Sequence, residues 1–179
     1  FASYGLELFH VERVPAKEGS IRCFIQNENG PNEINSSVAD IISYEESIRM
    51  DKMDRHDSIT GFITEIKSKL HSLLDPAIEQ GKTVAAFGTS TGATTFSFNY
   101  DLGELVSFFV DDDPYRHNLV SPVLHIPVLP SKTIYDRKPD YVIILAPLYA
   151  DIIMKKNQQY LEQGGTFVKI WPEFETISA

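Results

Sequence analysis

Cysteine is almost missing: Cys23 is the only one in 179 residues. A single thiol closes no internal disulfide and builds no multi-cysteine zinc centre, and it fits a reducing, cytoplasmic setting. Basic residues are in the minority, 16 Lys and Arg against 25 Asp and Glu, and the net charge of −9 disfavours nucleic acid and anionic membrane as partners. No apolar run approaches the roughly 18 residues that would cross a bilayer, and no signal peptide stands at the start. The five histidines share no metal-ligand spacing, and no Ser–His–Asp set can be assembled. Repeats and low-complexity segments are absent as well. What remains is an ordinary globular composition, 42% apolar and 23% charged, at a length that fits one domain with an appended subdomain. The opening Phe1-Ala-Ser-Tyr-Gly has no Met and reads as the start of a piece cut from something longer.

The chain changes character near Lys82. Before it, Leu6–Val14 and Ser20–Gln26 alternate apolar and polar residues around the turn 15–19, which predicts an antiparallel strand pair. Residues 27–35 read as a loop. Ser37-Val-Ala-Asp40 has capping-box spacing and opens an amphipathic helix carrying Val38, Ile41, Ile42 and Ile48. The charged stretch 51–57 breaks the pattern, and a longer helix follows from Ile59 to Ile78, bent at Pro76 and ended by Gly81. After Lys82 the strands become continuously apolar: Thr83–Phe87, Val106–Val110, Val123–Val128, Tyr141–Ala146 and Thr166–Trp171. Helices are expected over Thr91–Tyr100 and Tyr149–Gln163. Such strands alternating with helices predict an α/β fold, a Rossmann-like three-layer sandwich with a mostly parallel sheet, preceded by the strand pair and helices. The expected division is an extension over 1–80 and a nucleotide-binding body over 81–179.

Gly88-Thr-Ser-Thr-Gly92 is the first candidate site. It follows a buried strand and opens a helix, so it would offer backbone N–H groups, the hydroxyls of Thr89, Ser90 and Thr91, and a helix N-terminus to a phosphate. It is neither a full G-x-G-x-x-G nor a P-loop, and taken alone it also reads as a plain strand-to-helix turn. Asp111-Asp112-Asp113 ends the next strand about 20 residues further on, where a carboxylate commonly accepts from a ribose hydroxyl. Asp111 or Asp112 is the favoured acceptor; a solvated turn before Pro114 is the competing reading. Arg116 and Lys138 are candidates to neutralise the phosphate. Arg22 alternates with the apolar positions of its strand and aims either at an anion or at solvent. No residue reads as a general base.

Taken in order, these segments resemble the C-terminal half of the S-adenosylmethionine-dependent C-methyltransferases that act on nucleotide-linked deoxysugars. The resemblance runs through Tyr4–Arg13 ("GLEvfdVer" in the family), 18–22 ("GGSLR"), Ala86–Gly92 ("GYGApaKGnt"), Phe109–Arg116 ("vvDdNPyK"), His125–Val128, Lys138–Leu145 ("kPDyvlvL") and Gly164–Val168. The chain differs from the family at Thr91–Thr94, Arg116, Asn118 and Ala146–Tyr149. The resemblance implies that residues 1–179 hold a nucleotide-diphosphate sugar or similar small molecule. It also implies that the S-adenosylmethionine site and the sugar-deprotonating segment belong to an N-terminal half upstream of Phe1, so that this piece binds no cofactor and is inactive alone. Two other functions compete: a nucleotide-binding module without methyl transfer, and a non-enzymatic association domain.

Overall fold

The computed structural model describes residues 1–16, 19–122 and 124–179. It resolves into two compact units, Phe1–Thr60 and Gly61–Ala179.

In the first unit, β1 (Leu6–Val14) and β2 (Ser20–Asn27) pair antiparallel, with a register slip between Leu8 and His10. Helix α1 (Ser36–Ser47) follows. Its cap is Asn35, not Ser37: the Ser37 amide donates to Asn35 Oδ1 across 2.9 Å. The Ser37 hydroxyl is used elsewhere, accepting from the Val11 amide at 3.1 Å and bonding His10 Nδ1 at 2.9 Å. A short Asx turn fits the extended backbone of Asn35 better than the Ser37 spacing does. Glu18, in the expected turn, lies outside the described residues.

Helix α2 (Met53–Glu79) starts earlier than its apolar period suggests. The charged residues taken as a break are its first turns, where Asp54 is favourable to the helix dipole and no side chain is buried. Periodicity reports only the buried face, which here is Ile66, Leu70, Leu74 and Ala77. Gly81, at φ +82°, closes the end by donating to the Ile78 carbonyl at 2.8 Å.

The second unit is built on a six-stranded sheet in the order β5-β4-β3-β6-β7-β8. These strands are β3 (Val84–Phe87), β4 (Phe108–Asp111), β5 (Val128–Pro130), β6 (Tyr141–Ile144), β7 (Thr166–Lys169) and β8 (Glu175–Ile177). The first five run parallel, as expected, and β8 pairs antiparallel to β7. Alternate residues go to opposite layers. Val84, Ala86, Phe109, Ile143 and Val168 pack with Leu70 and Leu74 of α2 and Ala93 of α3 (Thr91–Asn99). Ala85, Phe87, Phe108, Val142, Ile144 and Phe167 pack with Ile134 of α4 (Thr133–Arg137), Ile153 of α5 (Ala150–Lys156) and Tyr160 of α6 (Gln158–Glu162). With both faces covered, every position of a central strand can be apolar.

Two expectations need correction. The helix over Tyr149–Gln163 is two, α5 and α6, broken at Asn157. The buried Asn157 side chain donates to the Ile153 carbonyl at 2.7 Å and accepts from the Tyr135 hydroxyl at 2.8 Å, fixing the break. The strand expected from Val123 (itself outside the described residues) is β5, beginning at Val128; Val120 and Pro127 form only an isolated bridge. Helix α4 and strand β8 were not anticipated, being too short for periodicity to register.

Candidate functional site

The chain leaves β3 toward β4 and β5 on one side, then returns to lay β6 on the other side of β3. The carboxyl ends of β3 and β6 therefore flank the topological switch point, where open α/β sheets form a crevice. Gly88 sits at it, at φ +105°. Its amide donates to the Val110 carbonyl at 2.8 Å, and a Cβ there would stand 3.2 Å from Ala146 Cβ. Glycine meets both the backbone angle and the closeness of the loop after β6.

Ser90 caps α3: its side chain accepts from the Ala93 amide at 3.3 Å, and its carbonyl from the Thr94 amide at 3.2 Å. The amides of Thr91 and Gly92, in the first turn, have no carbonyl to pair with among the described residues. Gly92 has open space around it; an added Cβ would meet only Ser90 Oγ, at 3.6 Å. Thr89, Thr91, Thr94, Thr95 and the half-exposed Phe98 line an open cleft of ≈ 600 Å³ beside this turn.

Asp111 anchors the site from below. Its Oδ2 accepts from the Thr89 amide at 2.8 Å, the Thr89 hydroxyl at 2.6 Å and Arg116 at 3.1 Å, and its Oδ1 accepts from the Asp113 amide at 2.9 Å. His117 Nε2 donates to the Asp111 carbonyl at 2.8 Å. Burial pushes the Asp111 carboxyl up, but the hydrogen bonds from Thr89 and Asp113 and the charge of Arg116 outweigh it, holding it below the usual carboxylate range. Asp111 is thus an ionised brace whose acceptor capacity is spent inside the protein.

Arg116 reaches the turn as well. Its guanidinium stands 3.4 Å from Thr89 Oγ1 and 3.3 Å from Asp113 Oδ2, and its side chain is 40% exposed, enough to meet a ligand. Asp112 faces elsewhere and pairs with Lys156 of α5 at 2.8 Å. Burial raises its carboxyl, and hydrogen bonds from Lys156 and Ser131 lower it further than burial lifts it. Lys156 carries no sequence signal for this role, standing 44 residues from its partner.

One candidate falls outside the group. Lys138 closes α4 just before β6, so it lies at the amino end of the parallel strands, whereas Gly88 follows the carboxyl end of β3. It cannot neutralise a phosphate at the turn. Arg22 belongs to the first unit, on β2, where it pairs with Glu12 at 3.3 Å. Among the described residues no His, Cys, Asp and Glu cluster has the arrangement of a metal centre, and no helix is long and apolar enough to cross a membrane. The site holds hydrogen-bond donors and one reachable guanidinium, with Asp111 and Asp112 both held below the usual carboxylate range.

The sequence profile of the C-methyltransferase C-terminal domain matches residues 15–172. The chain belongs to that family. It is 26% identical over 180 residues to C-methyltransferase NovU of Streptomyces niveus, a match that takes in 100% of this chain and 43% of NovU. The chain thus spans less than half the length of that relative. Among solved structures, the UDP-D-quinovosamine 4-dehydrogenase of Vibrio fischeri is similar with a TM-score of 0.41 and 15% identity, covering 54% of this chain and 93% of that one. The family assignment agrees with the resemblance carried by Gly88–Gly92 and the acids after β4.

Proposed function

We propose that this chain is the substrate-binding domain of a cytoplasmic, S-adenosylmethionine-dependent C-methyltransferase acting on a nucleotide-linked sugar, and that it is inactive alone. The ligand task belongs to residues 81–179. The diphosphate lies against Gly88–Gly92, receiving the free amides of Thr91 and Gly92 and the hydroxyls of Ser90 and Thr91, while Arg116 supplies the positive charge. Asp111 acts as a positioning residue that holds Thr89 and Arg116 in place. In the whole enzyme the methyl group comes from S-adenosylmethionine, held by residues outside this chain. The domain's contribution to rate is orientation of the sugar toward that donor.

The observation carrying this reading is the pairing of an unblocked helix start at the switch point with a partly exposed guanidinium 3.4 Å from Thr89. Calorimetric titration with thymidine diphosphate tests it. The chain, or the longer enzyme containing it, is expected to bind. Gly92→Val fits the empty space at Gly92 and is expected to weaken binding by on the order of tenfold to a hundredfold with an unchanged melting temperature. Equal binding by the variant, or no binding by either protein at millimolar ligand, overturns the proposal. The chain alone is expected not to bind S-adenosylmethionine.

A further inference from the structure

The first unit buries very little. Among the described residues of Phe1–Thr60, Val11 is the only buried apolar side chain, while Ile21, Ile42, Tyr44, Met50 and Met53 are exposed. A two-stranded ribbon beneath one helix is not stable at that burial and needs a covering body.

The two edges of the ribbon differ. The outer edge of β1 is occupied: the Phe9 carbonyl accepts from the Asn35 amide at 2.8 Å, and the Val11 amide donates to Ser37 Oγ at 3.1 Å. Because Val11 points its amide away from β2, the Val11–Cys23 pair is a non-hydrogen-bonded one, and by alternation so is Arg13–Ile21. The backbone N–H and C=O groups of Ile21 and Cys23 therefore face outward along β2, and the two-stranded sheet offers them no partner. At the turn end of the ribbon, both strands and α1 border a groove of ≈ 740 Å³ whose lining includes Arg13, Val14, Ile21, Ile41, Tyr44 and Ile48. An open strand edge that ends at a largely apolar groove is a template for strand addition.

Two findings identify the occupant. The C-terminal domain match starts at residue 15, after β1 ends at Val14, so the β1–β2 ladder joins a strand ahead of the matched domain to a strand within it. The chain also accounts for only 43% of NovU. We infer that the free edge of β2 and the groove at its turn end seat the remaining part of the methyltransferase, which adds a strand along Ile21–Cys23 and fills the groove with apolar side chains. The inference rests on the reading that this chain works within a longer C-methyltransferase.

Amide hydrogen exchange on the 179-residue chain and on the longer enzyme tests it. The Ile21 and Cys23 amides are expected to exchange quickly in the former and on the order of a hundredfold more slowly in the latter. In the longer enzyme, Ile48→Glu is expected to return at least about a tenfold faster exchange at Cys23 while thymidine-diphosphate binding stays unchanged. Equal exchange in the two unaltered proteins overturns the inference, as does protection at Ile21 and Cys23 caused by self-association of the shorter chain. Slow exchange with no nucleotide binding would instead leave the docking in place and remove the nucleotide-sugar reading, so the two failures are distinguishable.

Discussion

The Thr89 hydroxyl donates to Asp111 Oδ2 across 2.6 Å, tying the loop after β3 to the last residue of β4. Arg116 bonds the same oxygen at 3.1 Å. One carboxylate oxygen thereby sets the positions of the Gly88–Gly92 turn and of the Arg116 guanidinium. Because the two donors share one acceptor, their contributions to stability are coupled.

Thr89→Val removes a hydroxyl from a buried charged acceptor and is expected to cost about 1.5–3 kcal/mol in denaturant unfolding. A double-mutant cycle with Arg116→Ala is expected to show an interaction energy of about 0.5–3 kcal/mol. Additive losses would mean that the two donors act independently on Asp111.

Asp111 also predicts an acid limb. Its carboxyl titrates below the ordinary value in the folded chain, so the folded state binds that proton less tightly than the unfolded state. The stability it supplies is whole above roughly pH 4, the unfolded value, and is lost as pH falls through the lower folded value. Asp111→Asn is therefore expected to melt below the wild type at pH 7, with the gap narrowing as the pH drops beneath about 4. Melting curves across the range check this, and a gap that widens toward acid would contradict it.

Gly88→Val should behave unlike Gly92→Val. At φ +105° a β-branched residue is strained, and its Cβ would crowd Ala146 at 3.2 Å. The expected loss is at least about 2 kcal/mol of unfolding free energy. Thermal denaturation of both variants side by side is the measurement; a shared small loss would show that the loop after β6 yields easily.

Tyr160 is a structural counterpart at the other end of the sheet. Its hydroxyl donates to the Pro139 carbonyl at 2.9 Å and accepts from the Thr166 amide at 3.2 Å, and burial raises its ionisation far above the ordinary phenol value. Tyr160→Phe is expected to cost about 1–3 kcal/mol by leaving the buried Pro139 carbonyl unpaired, while the Thr166 amide keeps its bond to the Asp140 carbonyl at 3.0 Å. Gly165→Ala drives a Cβ into the Tyr160 ring, which is held by both bonds, and is expected to cost at least as much. Chemical unfolding of the two variants tests both statements.

The sequence by itself determined the class of fold and the place of the turn. Val84–Phe87 and Tyr141–Ile144 read as buried parallel strands because both their faces are covered, and Gly88 reads as a turn because its backbone angle requires glycine. These are local properties, carried by consecutive residues. The tertiary structure decided the rest. Whether Lys138 or Arg116 lies beside the turn depends on which end of the sheet each loop reaches, and loops on opposite ends look alike in a string of residues. That Asp111 is filled by internal donors while Asp112 pairs with Lys156 depends on contacts across 22 and 44 positions. The helix break at Asn157 depends on Tyr135, 22 positions away. Side-chain partners brought together by strand order leave no periodicity in the sequence, so only the folded chain reveals them.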